Sequence, residues 1–104
     1  MRARVSPGAA TVDDATAALG REGCSAPRGW SNGPRDRYGW HQHDYHKVLF
    51  CLEGSIVFHT DDGDVELQAG DRLDLAAGTK HAATVGSNGC RCVEATKPSN
   101  PMER

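Results

Sequence analysis

The 104-residue sequence has no surplus of basic charge: 12 Lys and Arg stand against 14 Asp and Glu, for a formal net charge of −2. No Lys/Arg stripe interleaves with aromatic residues, so there is no positive field to gather a phosphate backbone, and nucleic acid is excluded as an expected partner. Long apolar runs are missing too. Nothing approaches the roughly 20 residues that a membrane-spanning helix needs, and the opening MRARVSPGAATVDD has no apolar segment of the kind a secretory signal contains. A soluble cytoplasmic protein with no membrane partner is the expectation. Four cysteines are present, but without a secretory context they are expected as free thiols rather than a disulfide framework. Cys90 and Cys92 form a C-x-C with no second pair nearby, and Cys24 and Cys51 lie far off, a spacing that does not support a structural zinc site. Glycine-rich phosphate loops, G-x-S-x-G elbows, H-E-x-x-H helices and internal repeats are all absent. The pairs Asp13-Asp14 and Asp61-Asp62 are adjacent in a helix start and a turn, unlike acids held across a cleft.

What is there amounts to one domain, because a chain of this length builds a single modest core. Residues 1–28 read as a loose tail followed by a short helix. Thr11 with Asp14 resembles a capping box, Val12, Ala15 and Leu19 share one face, and Gly20 or Gly23 stops the helix. Such a short helix is marginal alone and has to dock. Cys24 to Gly39 is turn-rich and reads as a loop anchored by Trp30. The body, 29–97, follows as short strands: KVLFCLE, SIVFHT, DVELQ, DRLDLA, HAATV and CRCVEAT. Turn signals at Asp62-Gly63, Gly70-Asp71, Ala77-Gly78 and Asn88-Gly89 separate them, which predicts an all-β sandwich or barrel with Leu73 and Leu75 in its core. Residues 98–104 are expected to trail off as a polar tail.

The segment YGWHQHDYHKVLFCLEG, Tyr38 to Gly54, places three of the five histidines within six residues. On a regular strand His41 and His43 share a face, Tyr45, Lys47 and Cys51 continue it, and His46 points the other way. Two imidazoles on one face can share a metal; equally, H-x-H is an ordinary polar strand end. Downstream, GDRLDLAAGTKHAATV brings a third imidazole, His81, to the start of another strand. Lys47 reads either as a pocket cation that binds a carboxylate or acts as a base, or as a lysine covering apolar wall and reaching water. Tyr38, Trp40 and Tyr45 are candidates for an aromatic mouth around a small ligand, or for packing under the Trp30 loop. Cys51 reads as a buried thiol or an interior ligand-contacting one. His59 reads as a solvated strand end, and Asp71 as a turn residue.

These residues carry a resemblance to the cupin family. Its first motif, G-x5-H-x-H-x3/4-E-x6-G, is matched by His41, His43 and Gly54; its second, G-x5-P-x-G-x2-H-x3-N, by Gly70, Gly78 and His81. The block from Glu22 to Phe50 also looks like small bacterial single-domain cupins of unassigned role. The resemblance implies a conical antiparallel β-barrel, related to the jelly roll, with a short N-terminal helix. It also implies one divalent transition metal (Fe, Zn, Ni or Mn) on His41, His43 and His81, and in many members a homodimer. Lys47 stands where the family has its ligand Glu, Ala76 where it has Pro, and Val85 where it has Asn. An ammonium cannot ligate and repels a dication, so the site expected here is three imidazoles with open positions, Lys47 as catalytic residue, and Tyr38, Trp40, Tyr45 and Cys51 against a small-molecule ligand. The implied activity is that of a dioxygenase, isomerase or lyase on a small organic acid or carbonyl compound; the same fold also serves as a metal-free binding or regulatory module. A third reading is a structural dimerisation module with no ligand, in which Val48, Phe50 and Leu52, on the outward face of their strand, build an intersubunit sheet contact.

Overall fold

A computed structural model describes residues 2–98, and all but Pro98 of the expected C-terminal tail lies outside the described residues. The elements are β1 (Ala3–Pro7), α1 (Val12–Arg21), β2 (Arg28–Asn32), β3 (Arg37–His41), β4 (His46–Thr60), β5 (Gly63–Gln68), β6 (Asp71–Leu75) and β7 (His81–Lys97). Every strand pairing is antiparallel, in the order β1-β6-β4-β7-β2, with β3 on β7 and β5 on β4. Among the described residues no helix is long and apolar enough to cross a membrane.

The two long strands make the barrel. β4 pairs with β6 over Lys47–Phe50 and with β5 over Ser55–Thr60, while β7 holds β3 near its start and β2 near its end. Each therefore passes from one wall to the other, and the bend falls where the β4–β7 register shifts, between Cys51 and Ile56. Gly54 and Gly89 form that corner. Gly54 has φ +71°, and a Cβ on it would lie 1.9 Å from the carbonyl oxygen of Gly89, so only glycine fits. The expected turn at Asn88-Gly89 is this bulge inside β7, and the short runs on either side are one strand.

Two further expectations are corrected. Ala3–Pro7 do not belong to a loose tail: β1 pairs along β6 from Ala3↔Leu75 to Pro7↔Asp71. Their pattern is weak because an edge strand of five residues buries little. Past its end, Ala76 N–H donates to the carbonyl of Arg2 at 2.8 Å. A proline there would remove that donor, which accounts for Ala76 in the proline position of the second motif. Likewise Arg28–Asn32 and Arg37–His41 are strands on β7 rather than a loop; their glycine- and proline-rich surroundings mark the turn between them.

Side-chain alternation sorts the apolar residues into two layers. Leu49, Ile56, Phe58, Leu67, Leu73 and Val85 fill the barrel interior. Val48, Phe50, Leu52, Val93 and Ala95 face outward, yet they are buried beneath Ala15 and Leu19 of α1. This overturns their assignment as a dimer contact: the chain's own helix covers them. α1 starts as expected, with Thr11 Oγ1 accepting from Asp14 N–H at 3.1 Å. It is held down by Arg72, whose guanidinium meets Glu22 at 2.5 and 2.8 Å and Asp74 at 2.9 Å. His46 Nε2 joins Asp74 at 3.0 Å, so the third histidine of the cluster belongs to this outer network.

Candidate metal centre

His41 ends β3 and His81 begins β7, and the two are direct partners across the ladder. His43 comes from the irregular connection 42–45 between β3 and β4, so the regular strand assumed in the parity count is broken. The three rings nevertheless converge. Their centroids are 4.2 Å (His41–His81), 4.9 Å (His41–His43) and 5.3 Å (His43–His81) apart, and one nitrogen from each lies within 4.8 Å of the other two. A backbone bond from Gly78 N–H to the carbonyl of His43, 2.7 Å, ties the turn preceding His81 to the connection carrying His43. The glycine of the second motif thus positions a histidine of the first.

The hydrogen bonds fix the tautomers. Nδ1 of His41 is 2.6 Å from the carbonyl of Gly39, and Nδ1 of His81 is 2.8 Å from that of Thr79. A carbonyl oxygen only accepts, so both Nδ1 atoms carry the proton and both Nε2 atoms keep a free lone pair. His43 Nε2 is buried with no hydrogen-bond partner. An orphaned buried nitrogen costs about 1–3 kcal/mol. Burial, then the charge of Lys47, holds His43 below the ordinary histidine range, and burial does the same for His81. Neutral imidazole is the form that ligates. Three converging imidazoles, two with Nδ1 committed to backbone carbonyls and the third with a buried, unpartnered Nε2, fit a divalent transition metal.

The histidines open on a cavity of about 350 Å³ inside the barrel mouth, floored by Leu49, Ile56 and Phe58. Tyr45 lines it and stacks on His43, with centroids 4.8 Å apart and planes at 24°. Tyr38 lines it too, edge-on to Trp30 at 6.2 Å, with its hydroxyl donating to Asn32 Oδ1. Lys47 points inward and is not a snorkelling side chain: Nζ lies 3.4 Å from Glu94 Oε2, with only 12% of the side chain exposed. Glu94 Oε1 in turn accepts from Trp30 Nε1–H at 2.7 Å.

Two expected ligand contacts are displaced. Trp40 is 55% exposed and does not line the cavity: as the neighbour of His41 on β3 it takes the opposite face. Cys51 is fully buried below the floor; its thiol donates to the carbonyl of Glu53 at 3.5 Å and sits by Cys92, its partner across the ladder. His59 lies between Asp64 Oδ1 (2.7 Å) and Thr84 Oγ1 (2.9 Å), away from the cavity. Asp71 serves its turn, accepting from Gln68 N–H at 2.8 Å. All four cysteines are free. A larger groove of about 540 Å³ between α1 and the outer face of β2 and β7 has Arg91 as its sole charged wall residue and none of the histidines.

Sequence reasoning missed Glu94. Its signal was the alternation Cys90, Cys92, Glu94, which puts a carboxylate on the inward face of β7. Trp30 was seen as an anchor but not as the donor that orients this carboxylate, and Arg28, which also borders the cavity, was read as loop.

Residues 30–94 match the family described as the Cupin domain. Quercetin 2,3-dioxygenase of Bacillus subtilis is 36% identical over 70 residues, which is 65% of this chain and 21% of that protein, so the chain spans about a fifth of the length of this curated relative. Two solved structures share the fold. A cupin-2 domain protein from Shewanella frigidimarina has TM-score 0.60 and 20% identity over 69% of each chain. The acireductone dioxygenase of Bacillus anthracis, with a cadmium ion in its active centre, has TM-score 0.61 and 19% identity over 80% of this chain and 57% of its own. Family match, barrel and motif positions agree: this chain belongs to the cupin family.

Proposed function

We propose that this cupin binds one divalent transition metal through His41, His43 and His81 and acts on a small organic acid or carbonyl compound, in a reaction of dioxygenase, isomerase or lyase type. The observation that carries the reading is the buried, unpartnered Nε2 of His43 beside two further imidazoles whose Nδ1 protons are committed to backbone carbonyls. The dioxygenase activities named for the B. subtilis relative and the B. anthracis neighbour, and the cadmium in the latter, point the same way. Iron, nickel and zinc suit imidazole ligands, whereas manganese favours oxygen donors.

When bound, such a metal supplies a Lewis acid and, if it is redox-active, a means of activating dioxygen. The chain's own residues do the rest. Gly39 and Thr79 carbonyls orient two rings, and Tyr45 stacking orients the third. Leu49, Ile56 and Phe58 keep water from the floor. Glu94, fixed by Trp30 Nε1–H and Lys47, is the carboxylate placed to accept a proton from a bound substrate at Oε2. Lys47 is the positioning partner of Glu94. A metal-free module that relied on Lys47 as an unpaired anion anchor is less well supported, because Glu94 already neutralises that ammonium.

The test is reconstitution of the untagged protein with Fe(II), Ni(II), Mn(II) and Zn(II) in turn. Dioxygen uptake and product formation are followed over a panel of small 2-oxo acids, enediols and diketones. Turnover that depends on the metal and disappears in His81→Ala supports the proposal; metal binding without turnover of any panel member reduces the protein to a binding module.

A further inference from the structure

The cavity contains two cations and one carboxylate, and the geometry divides them unequally. Glu94 uses Oε2 for Lys47 and Oε1 for the indole of Trp30. Lys47, the side chain expected to hold a ligand carboxylate, is therefore already neutralised by the protein. Arg28 is not. It stands directly across the ladder from Glu94 and borders the same cavity, yet it takes part in none of the ion pairs or side-chain hydrogen bonds formed among the described residues. The charge left over at the barrel mouth is thus a guanidinium, the side chain whose planar fork matches a carboxylate with two parallel N–H···O bonds. Beside it, Trp30, Tyr38 and Tyr45 offer flat aromatic walls. The volume of about 350 Å³ is at the small end for ligand pockets.

We propose that Arg28 is the carboxylate-binding residue of this cavity, and that the ligand is a small planar carboxylate held by its acid group on the guanidinium and by its flat body against Trp30, Tyr38 and Tyr45. The inference rests on reading the cavity as the ligand site and narrows the substrate class, but it needs no metal. A planar acid loses little conformational freedom on entering a cavity of this size, and the aromatic walls favour a conjugated body over a flexible chain. Arg28 is exposed, so its head group is free to meet an incoming anion and its replacement leaves the core untouched.

The test uses the metal-free full chain with two isosteric probes, benzoate and neutral benzamide, titrated by ¹⁵N NMR. The indole N–H of Trp30, bonded to Glu94 within the cavity, is the reporter. Benzoate is expected to bind about five- to tenfold more tightly than benzamide, as one charge-assisted fork at a partly wet site allows. Arg28→Gln removes that preference, Arg28→Lys keeps part of it, and Arg91→Gln, on the outer face, leaves it whole. Amide dispersion of each variant reports that it is folded. A preference for benzoate that survives in Arg28→Gln overturns the proposal, as does the absence of a saturable shift of the Trp30 signal with either probe. Metal content of the same preparations is measured separately: wild-type protein without metal uptake but with an Arg28-dependent benzoate preference would remove the metal reading and leave this one standing.

Discussion

The ammonium of Lys47 lies 3.4 Å from the carboxylate of Glu94, one on β4 and the other on β7, inside the barrel mouth. The family motif has a carboxylate where this chain has Lys47. Here a carboxylate sits instead on the facing strand, held by an indole and an ammonium.

Lys47→Glu inverts this arrangement. It places two carboxylates face to face in a largely buried cavity and offers a fourth ligand to the three imidazoles. The metal-free variant is expected to lose about 1–3 kcal/mol of stability from like-charge repulsion and desolvation. Added Zn(II) should restore more than is lost, so the thermal shift on metal addition exceeds that of the wild type. Equal shifts in the two proteins would mean that residue 47 does not reach the metal.

Much of this site was legible in the sequence because its spacing is set by turns. The motif positions Gly54, Gly70, Gly78, His41, His43 and His81 all fall where a barrel with those corners needs them. Less was legible where burial depends on what arrives from elsewhere. Val48, Phe50 and Leu52 alternate like an exposed apolar face, and nothing local to them announces that α1 will cover it. Tyr38 reaches the cavity alongside His41 only through a register shift that strand alternation does not reveal, whereas Trp40, next to His41, falls on the opposite face. Glu94 was overlooked because an inward carboxylate is costly unless paired, and its partners lie 47 and 64 positions away in sequence.

The docking of α1 gives a stability prediction. Leu19 is 1% exposed and packs with Phe50 and Val93 under the helix. Leu19→Ala should cost about 2–4 kcal/mol in urea denaturation, and Phe50→Glu, which buries a charge in the same layer, should prevent folding rather than yield a soluble monomer. A folded Phe50→Glu monomer with native melting would contradict the assignment of this face to the helix.

Metal-free stability should depend on pH through the cluster. His43 and His81 are held below the ordinary histidine value in the folded state, so the unfolded chain takes up protons first as the pH falls. Their contribution is complete above about pH 6.5 and shrinks below it, until the folded state's own lowered pKa values are passed. Melting temperature should therefore fall as the pH drops below about 6.5, with a shallower slope in His81→Gln. Glu22 and Asp74 shift the same way, downward: bonding to Arg72 is the main cause for Glu22, while for Asp74 the bonds to Arg72 and His46 outweigh burial. They add a second loss as the pH falls through the carboxylate range. A flat profile between pH 7 and 5 would contradict the histidine term.

The corner is equally specific. Gly54→Ala drives a Cβ to 1.9 Å from the Gly89 carbonyl oxygen at φ +71°, where neither backbone strand can yield cheaply. A loss above about 3 kcal/mol, or failure to fold, is the expected result in chemical denaturation.

Elemental analysis of untagged protein after exposure to Fe(II), Ni(II), Mn(II) and Zn(II), followed by extensive dialysis, is the most direct measurement of whether the three imidazoles form a metal centre. The expected result is about one equivalent of a single divalent metal per chain, falling below about a tenth in His81→Ala, as a preformed three-imidazole site requires. Less than about a tenth of an equivalent in the unmutated protein with every one of these metals would contradict it.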